Sequence, residues 1–265
     1  MSDDIAISVE KLVRRAPPAW VTTACDVLRG LPLTATTEFV LQRLPATSNA
    51  DLLFLVAETV RLASATMSWE ALSWVLRTNS IMQQRWLANH RIELLWAGPS
   101  PANQIPARRI DQALYDLIAS AKREILLVTF AAARIGRLSD DLLKASRRGV
   151  RIRLILEFEE TSEGQLSYDA LKAFPAALVG VVEVYQWPVE KRERNQAGRP
   201  GKLHAKVAII DDIALLSSAN LTDDAFNRNL EVGVTVVNAE FLASITTYFD
   251  ALMAEQTLRR LQVQL

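Results

Sequence analysis

The chain has only two histidines, and one of them, His204, stands among residues that can do chemistry. His204 and Lys206 are two positions apart, so an extended strand would place imidazole and ammonium on the same face. That pairing suits a phosphate diester. The lysine supplies positive charge to the equatorial oxygens, and the imidazole can attack phosphorus. Asp211 closes the same run, where it can set the orientation of nearby groups. Ser218 and Asn220 follow one hairpin later and offer a hydroxyl and an amide to the non-bridging oxygens. Glu231 can hold the second nitrogen of a histidine ring and fix its tautomer. A lone His-x-Lys pair is more often surface decoration, but here six such residues fall within 28 positions on consecutive expected strands. With a single histidine in the group and Lys206 repelling cations, no metal ion and no other cofactor is expected. The other histidine, His90, reads as a surface or capping residue at a helix end.

These residues need strands and helices to hold them. From Ile5 to about Leu95 the apolar residues recur at helical spacing, as in Leu52, Leu55, Val56, Thr59, Val60 and Ala63. Asn49 and Ser68 are placed to cap two of these helices. The proline-containing stretch from Trp96 to Arg109 reads as a linker or ordered crossover. Beyond it, helices expected near 109–122, 140–149 and 166–173 alternate with the apolar runs EILLVTFA, VRIRLILEF and VVEVYQW. HAKVAIID and IALLSS then form a tight hairpin, LEVGVTVV another strand, and a helix from Ala239 closes the chain. This rhythm predicts an α/β layer structure over 101–265, a mixed sheet flanked by helices, preceded by an all-helical region over 1–100.

Composition narrows the partners. Thirty basic and thirty acidic side chains leave no net charge, so affinity for a polyanion must come from local charge. Residues 101–210 hold eighteen Lys/Arg against thirteen Asp/Glu, a net of +5, while 211–265 hold three against eight, a net of −5. The excess peaks in KRERNQAGRPGK, directly before His204, where Lys191, Arg192, Arg194, Arg199 and Lys202 are expected to grip phosphates flanking the scissile bond. Arg147, Arg148, Arg151 and Arg153 are expected to extend that patch. Cys25 is the sole cysteine, which excludes an intrachain disulfide framework. The first residues do not read as a signal peptide, and no apolar run reaches the length of a membrane span. A cytoplasmic protein without a membrane partner is expected.

The run LHAKVAIID followed by SSANLT resembles the H-x-K-x4-D motif of the phospholipase D superfamily with its trailing G-S-x-N element. The resemblance covers roughly residues 105 to 258. It implies a phospholipase D-like fold and metal-independent phosphodiester chemistry through a phosphohistidine on His204. It implies phosphate binding by Lys206 and Asn220, assistance by Ser218, the motif position for Asp211 and histidine orientation by Glu231. Ser217 stands where the pattern usually has glycine, and serine there is strained if the backbone needs a positive φ. Over its full length the chain also resembles the phospholipase D-like subunits of the bacterial DISARM anti-phage defence system. That implies restriction of invading DNA alongside helicase, DUF1998 and methyltransferase partners.

Phosphodiester transfer needs a leaving-group acid as well as a nucleophile. The superfamily supplies both from two facing motifs, whereas this chain has one. A homodimer is therefore expected to complete the site. The leading expectation is a DNA phosphodiesterase. The alternatives are a catalytically weak or inactive subunit that binds DNA backbone and docks proteins, and a phospholipase with an apolar rim for lipid.

Overall fold

In the computed structural model, residues 2–100, 102–103, 106–133, 135–158 and 170–262 are described. The chain divides into two compact units, Met1–Ala88 and Asn89–Leu265.

The first unit consists of helices α1 (Ser2–Arg15), α2 (Pro18–Arg29), α3 (Thr37–Arg43), α4 (Ala50–Ser64) and most of α5 (Trp69–Asn89). Asn49 caps α4 by accepting a hydrogen bond from the Leu52 N–H at 3.1 Å, and Ser68 caps α5 through the Ala71 N–H at 3.1 Å. Val9, Leu12, Leu28, Val56, Val60, Trp69 and Leu72 form its apolar core. Two polar pairs sit in this core with their hydrogen bonds met, Ser8 with Thr59 at 2.8 Å and Ser73 to the Cys25 carbonyl at 2.9 Å.

The second unit is built on a nine-stranded mixed sheet. Its strands are β1 (Arg91–Ala97), β2 (Arg108–Arg109), β3 (Glu124–Thr129), β5 (Arg151–Leu156), β6 (Glu183–Gln186), β7 (Val207–Ile210), β8 (Ile213–Ser217), β10 (Glu231–Val237) and β11 (Arg259–Arg260). The order is β11-β6-β5-β3-β7-β8-β10-β1-β2. β3, β5 and β6 run parallel, and β7 pairs antiparallel with β3. A separate short pair joins β4 (Ala132–Ala133) to β9 (Leu221–Thr222). EILLVT and RIRLIL read as nearly continuous apolar runs because helices cover both faces there. On one face lie α6 (Ile110–Ser120), α7 (Gly136–Arg147), α8 (Ala176–Val179) and α9 (Asp223–Asn227), packed with Leu95, Ile125, Leu127, Ile152 and Leu154. On the other, α10 (Ala239–Ala254) packs Leu242 and Phe241 against Leu126, Val128, Ile155, Ile209 and Ala214. Gly149, with φ of +87°, ends the turn after α7 in a conformation that suits glycine.

Three local expectations change. The helical pattern stops at Asn89, and Arg91–Ala97 is a strand paired antiparallel with β10. The crossover after it contains β2, which pairs in parallel with β1. Of the helix expected near 166–173, residues 166–169 lie outside the described residues, and Ala170–Ala173 is a 3-10 turn.

α10 covers only part of its face of the sheet. Direct cross-strand pairing places Ile92 opposite Val236, Leu94 opposite Val234 and Trp96 opposite Val232. These six apolar side chains share one face, and Ile92 is 72% exposed, Leu94 54% and Val232 45%. Val207 and Leu216 continue that face toward β7.

Candidate active site

The residues with candidate chemistry lie at one end of the sheet, beyond the carboxyl ends of the parallel strands β3 and β5. β7 starts there, β8 ends there and β10 starts there. Regular strand begins only at Val207, so His204 and Lys206 stand in the extended run leading into β7. The Lys206 carbonyl accepts from the Ser217 N–H at 3.2 Å, which carries the β7–β8 pairing one residue further. This places Lys206 beside Ser217, and Ser217 lies opposite Gly233.

Phe130, at the end of β3, forms a wall shared by both basic groups. Its ring centroid lies 5.3 Å from that of His204, and the Lys206 ammonium stands 5.7 Å from the same ring. The sequence reading missed Phe130, although its place directly after the β3 run was the available signal. The Lys206 Nζ donates to the His204 carbonyl at 2.8 Å, which draws the ammonium back over the His204 backbone. Burial, then the nearby charges of Lys206 and Lys202, lower the His204 pKa below its usual value. The neutral imidazole, the form able to attack phosphorus, therefore persists to lower pH. Burial also lowers the Lys206 pKa, against an opposing pull from the Glu231 carboxylate.

Ser218 and Glu231 form the other side. The Ser218 hydroxyl donates to Glu231 Oε2, and the Val232 N–H donates to the Ser218 oxygen at 3.1 Å. Asn229 Nδ2 donates to Glu231 Oε1 at 3.1 Å. Glu231 thus hydrogen-bonds Ser218 and Asn229 and not the His204 ring expected for it. Asn220 follows on the loop into β9, and its Oδ1 is buried without a hydrogen-bond partner among the described residues. Ser217 adopts no positive φ, so serine in place of glycine causes no backbone strain.

Asp211 is separated from this group. It occupies the opposite end of β7, seven residues from His204 and so roughly 23 Å away along an extended chain. With φ of +48°, it forms the two-residue β7–β8 turn together with Asp212. Its carboxylate accepts from the backbone N–H groups of Lys122, Arg123 and Glu124 at 2.8, 2.9 and 3.0 Å. Burial pushes its pKa up, but those three donors and Arg123 outweigh it and hold it below the usual value. Asp211 ties the hairpin to the start of β3 and does not face the reacting region.

The basic stretch before His204 is an ordered finger. Asn195 N–H donates to the Arg199 carbonyl at 2.9 Å, Asn195 Oδ1 accepts from Ala197 and Arg199 N–H at 3.0 Å each, and Arg194 pairs with Pro200. Lys191, Arg194, Arg199 and Lys202 are exposed on it. Arg192 is not among them. Its guanidinium is buried against Glu157, with both side chains 0% exposed, so it is withdrawn from any phosphate. Of the expected extension through Arg147, Arg148, Arg151 and Arg153, the last three are engaged within the unit. Arg148 donates to the Ile118 and Ala121 carbonyls, Arg151 pairs with Glu183, and buried Arg153 pairs with Glu124 and Asp250.

A mixed α/β layer thus gathers His204, Lys206, Ser218, Asn220 and Glu231 at one sheet end. The chain belongs to the phospholipase D-like domain family of the cardiolipin synthase type, which residues 114–253 match. It is 28% identical over 142 residues to the probable cardiolipin synthase YwiE of Bacillus subtilis, a match covering 53% of this chain and 26% of that one. It is 25% identical over 182 residues to cardiolipin synthase B of Escherichia coli, covering 68% and 40% respectively. The chain therefore spans between a quarter and two fifths of the length of these curated relatives. Among solved structures, it is similar to Nuc from Salmonella typhimurium, a phospholipase D family member. The TM-score is 0.48 at 18% identity, covering 66% of this chain and 99% of that one. No described helix is long and apolar enough to cross a membrane.

Proposed function

We propose that this chain is a metal-independent phosphodiesterase acting on DNA, with His204 as the nucleophile. The observation that carries this reading is the His204 imidazole sharing the Phe130 wall with the Lys206 ammonium, preceded directly by an ordered finger of exposed basic side chains. A ring nitrogen of His204 attacks phosphorus, and the P–N bond forms as the P–O bond to the leaving group breaks. The departing oxygen takes a proton from an acid. Water then attacks phosphorus, its proton goes to that same group, and the P–N bond breaks. Lys206 and Asn220 hold the non-bridging oxygens, and Ser218 is held in place for the same task by Glu231.

The acid comes from His204 of a second copy. The apolar sheet face that carries exposed Ile92, Leu94 and Val232 is the surface for that copy, since α10 leaves it uncovered. The proposal includes a role in DISARM-type restriction of phage DNA in the cytoplasm, supported by the sequence resemblance to the phospholipase D-like subunits of that system. The helical unit then docks the other defence proteins.

One further observation favours a lipid substrate. An apolar trough of about 370 Å³, lined by Val207, Phe241, Ile245, Tyr248, Phe249 and Leu252, lies on the α10 face of the sheet, and the sequence relatives are cardiolipin synthases. Wild type and His204→Ala, incubated in EDTA with single-stranded DNA, duplex DNA and phosphatidylglycerol vesicles, separate these readings. Cleavage of DNA by wild type alone supports the proposal. Turnover of lipid alone supports the second reading, and DNA binding by both proteins without cleavage points to a non-catalytic subunit.

A further inference from the structure

The buried pair Glu157–Arg192 lies outside the phosphate site, yet it touches both ends of the segment that leads to the nucleophile. Glu157 directly follows β5. Its two oxygens accept from Arg192 Nη2 at 2.8 Å and Nη1 at 2.9 Å, a two-pronged ion pair with both side chains fully buried. The same Oε2 accepts from the Leu203 backbone N–H at 2.9 Å, one residue before His204. Arg192 reaches the start of the finger through Nε to the Trp187 carbonyl at 2.9 Å, and its end through Nη1 to the Gly201 carbonyl at 3.1 Å. Its guanidinium lies 5.0 Å from the Trp187 ring centroid.

A buried ion pair adds little to stability over an apolar replacement, so its value lies in what it holds in register. Here it links three backbone groups, at Trp187, Gly201 and Leu203, to the end of a central strand. We propose that Glu157 and Arg192 are a positioning pair, which fixes the His204 backbone and the base of the basic finger relative to each other. Neither residue binds substrate. Arg192, read from sequence as a phosphate grip, is the finger's internal anchor.

This inference rests on the phosphodiesterase reading for its kinetic part only. The test uses the full chain with Glu157→Gln, Arg192→Lys, the double variant and Trp187→Phe, each checked for folding by circular dichroism. Trypsin is the readout that needs no activity. In wild type the sites after Arg194 and Lys202 are guarded, whereas Glu157→Gln and Arg192→Lys open them by about tenfold or more without general digestion. Trp187→Phe leaves the ion pair in place and stays within about threefold of wild type. Where cleavage activity is present, both ion-pair variants lower kcat by about tenfold or more with KM nearly unchanged, and the double variant loses no more than either single one.

Unchanged trypsin sensitivity in both ion-pair variants overturns the proposal. So does an Arg192→Lys effect confined to KM while Glu157→Gln stays wild type, since that marks Arg192 as a phosphate ligand. If Glu157→Gln does not fold, Arg192→Lys alone decides between these outcomes by the same two readouts. A wild type that cleaves neither DNA nor lipid defeats the proposed function, while the trypsin result still decides the role of the pair.

Discussion

Gly233 lies directly across the β8–β10 pairing from Ser217, and a Cβ on Gly233 would come within 2.9 Å of the Ser217 Cβ and 3.0 Å of the Leu216 carbonyl. The serine that replaces the usual glycine of the motif is thus accommodated by a glycine on the neighbouring strand, not by a strained backbone. Gly233→Ala is expected to destabilise the second unit by about 1–3 kcal/mol through overpacking. Ser217→Gly in the same chain should recover part of that loss. Urea midpoints of the two single variants and the double variant measure the coupling, and strict additivity would show that the two residues do not share the space.

Asp211 holds three backbone N–H groups and lies far from His204. Asp211→Asn should therefore lower stability and leave the kcat of the folded protein close to wild type. The pH dependence follows from its lowered pKa. A carboxylate whose folded pKa lies below its unfolded value contributes stability above the unfolded pKa of about 3.9, and loses it as pH falls through the folded pKa. Urea midpoints between pH 6 and pH 2 should show an acid-side decline in wild type that is smaller in Asp211→Asn.

His204 titrates below the usual histidine value because of burial and the charges of Lys206 and Lys202. The acid limb of kcat/KM is expected below about pH 6.5, the ordinary histidine value. Removing a neighbouring positive charge lets the imidazole keep its proton to higher pH, so Lys202→Met should move that limb upward. A limb that does not move, or moves to lower pH, would remove Lys202 from the electrostatics of the site.

The exposed members of the finger differ from Arg192 in what they can do. Arg199→Ala and Arg194→Ala should each weaken DNA binding across sequences and reduce the slope of log K against log salt by about 1. Fluorescence anisotropy with the His204→Ala background, which prevents turnover, reads both quantities. Unchanged affinity and slope would leave the finger without a role in holding DNA.

Much of this arrangement is written locally in the sequence. The alternation of helical and short apolar runs marks β3, α7 and β5, and the side-chain caps Asn49 and Ser68 mark helix starts. What was hidden depends on partners far along the chain. β1 follows a long helix without a break signal, and its strand character comes from β10, some 140 residues later. Arg192 sits in a polar, glycine-containing stretch that looks fully solvated. Glu157, 35 residues upstream, draws it inside. The Asp211 position matched a motif, but the donors that occupy its carboxylate belong to the turn before β3 and to the first residue of that strand. Ser218 and Glu231 both stand out in the sequence by residue type, whereas their hydrogen bond to each other depends on the way β8 ends beside the start of β10.

The account turns on a covalent bond between phosphorus and His204. Wild-type protein mixed with a short oligonucleotide in EDTA, quenched during turnover and analysed by peptide mass spectrometry, tests this directly. The expected result is a nucleotidyl or phosphoryl adduct on the peptide that contains His204, absent from His204→Ala, with cleavage lost in the variant. Turnover that continues in His204→Ala, with no adduct in wild type, would contradict the account.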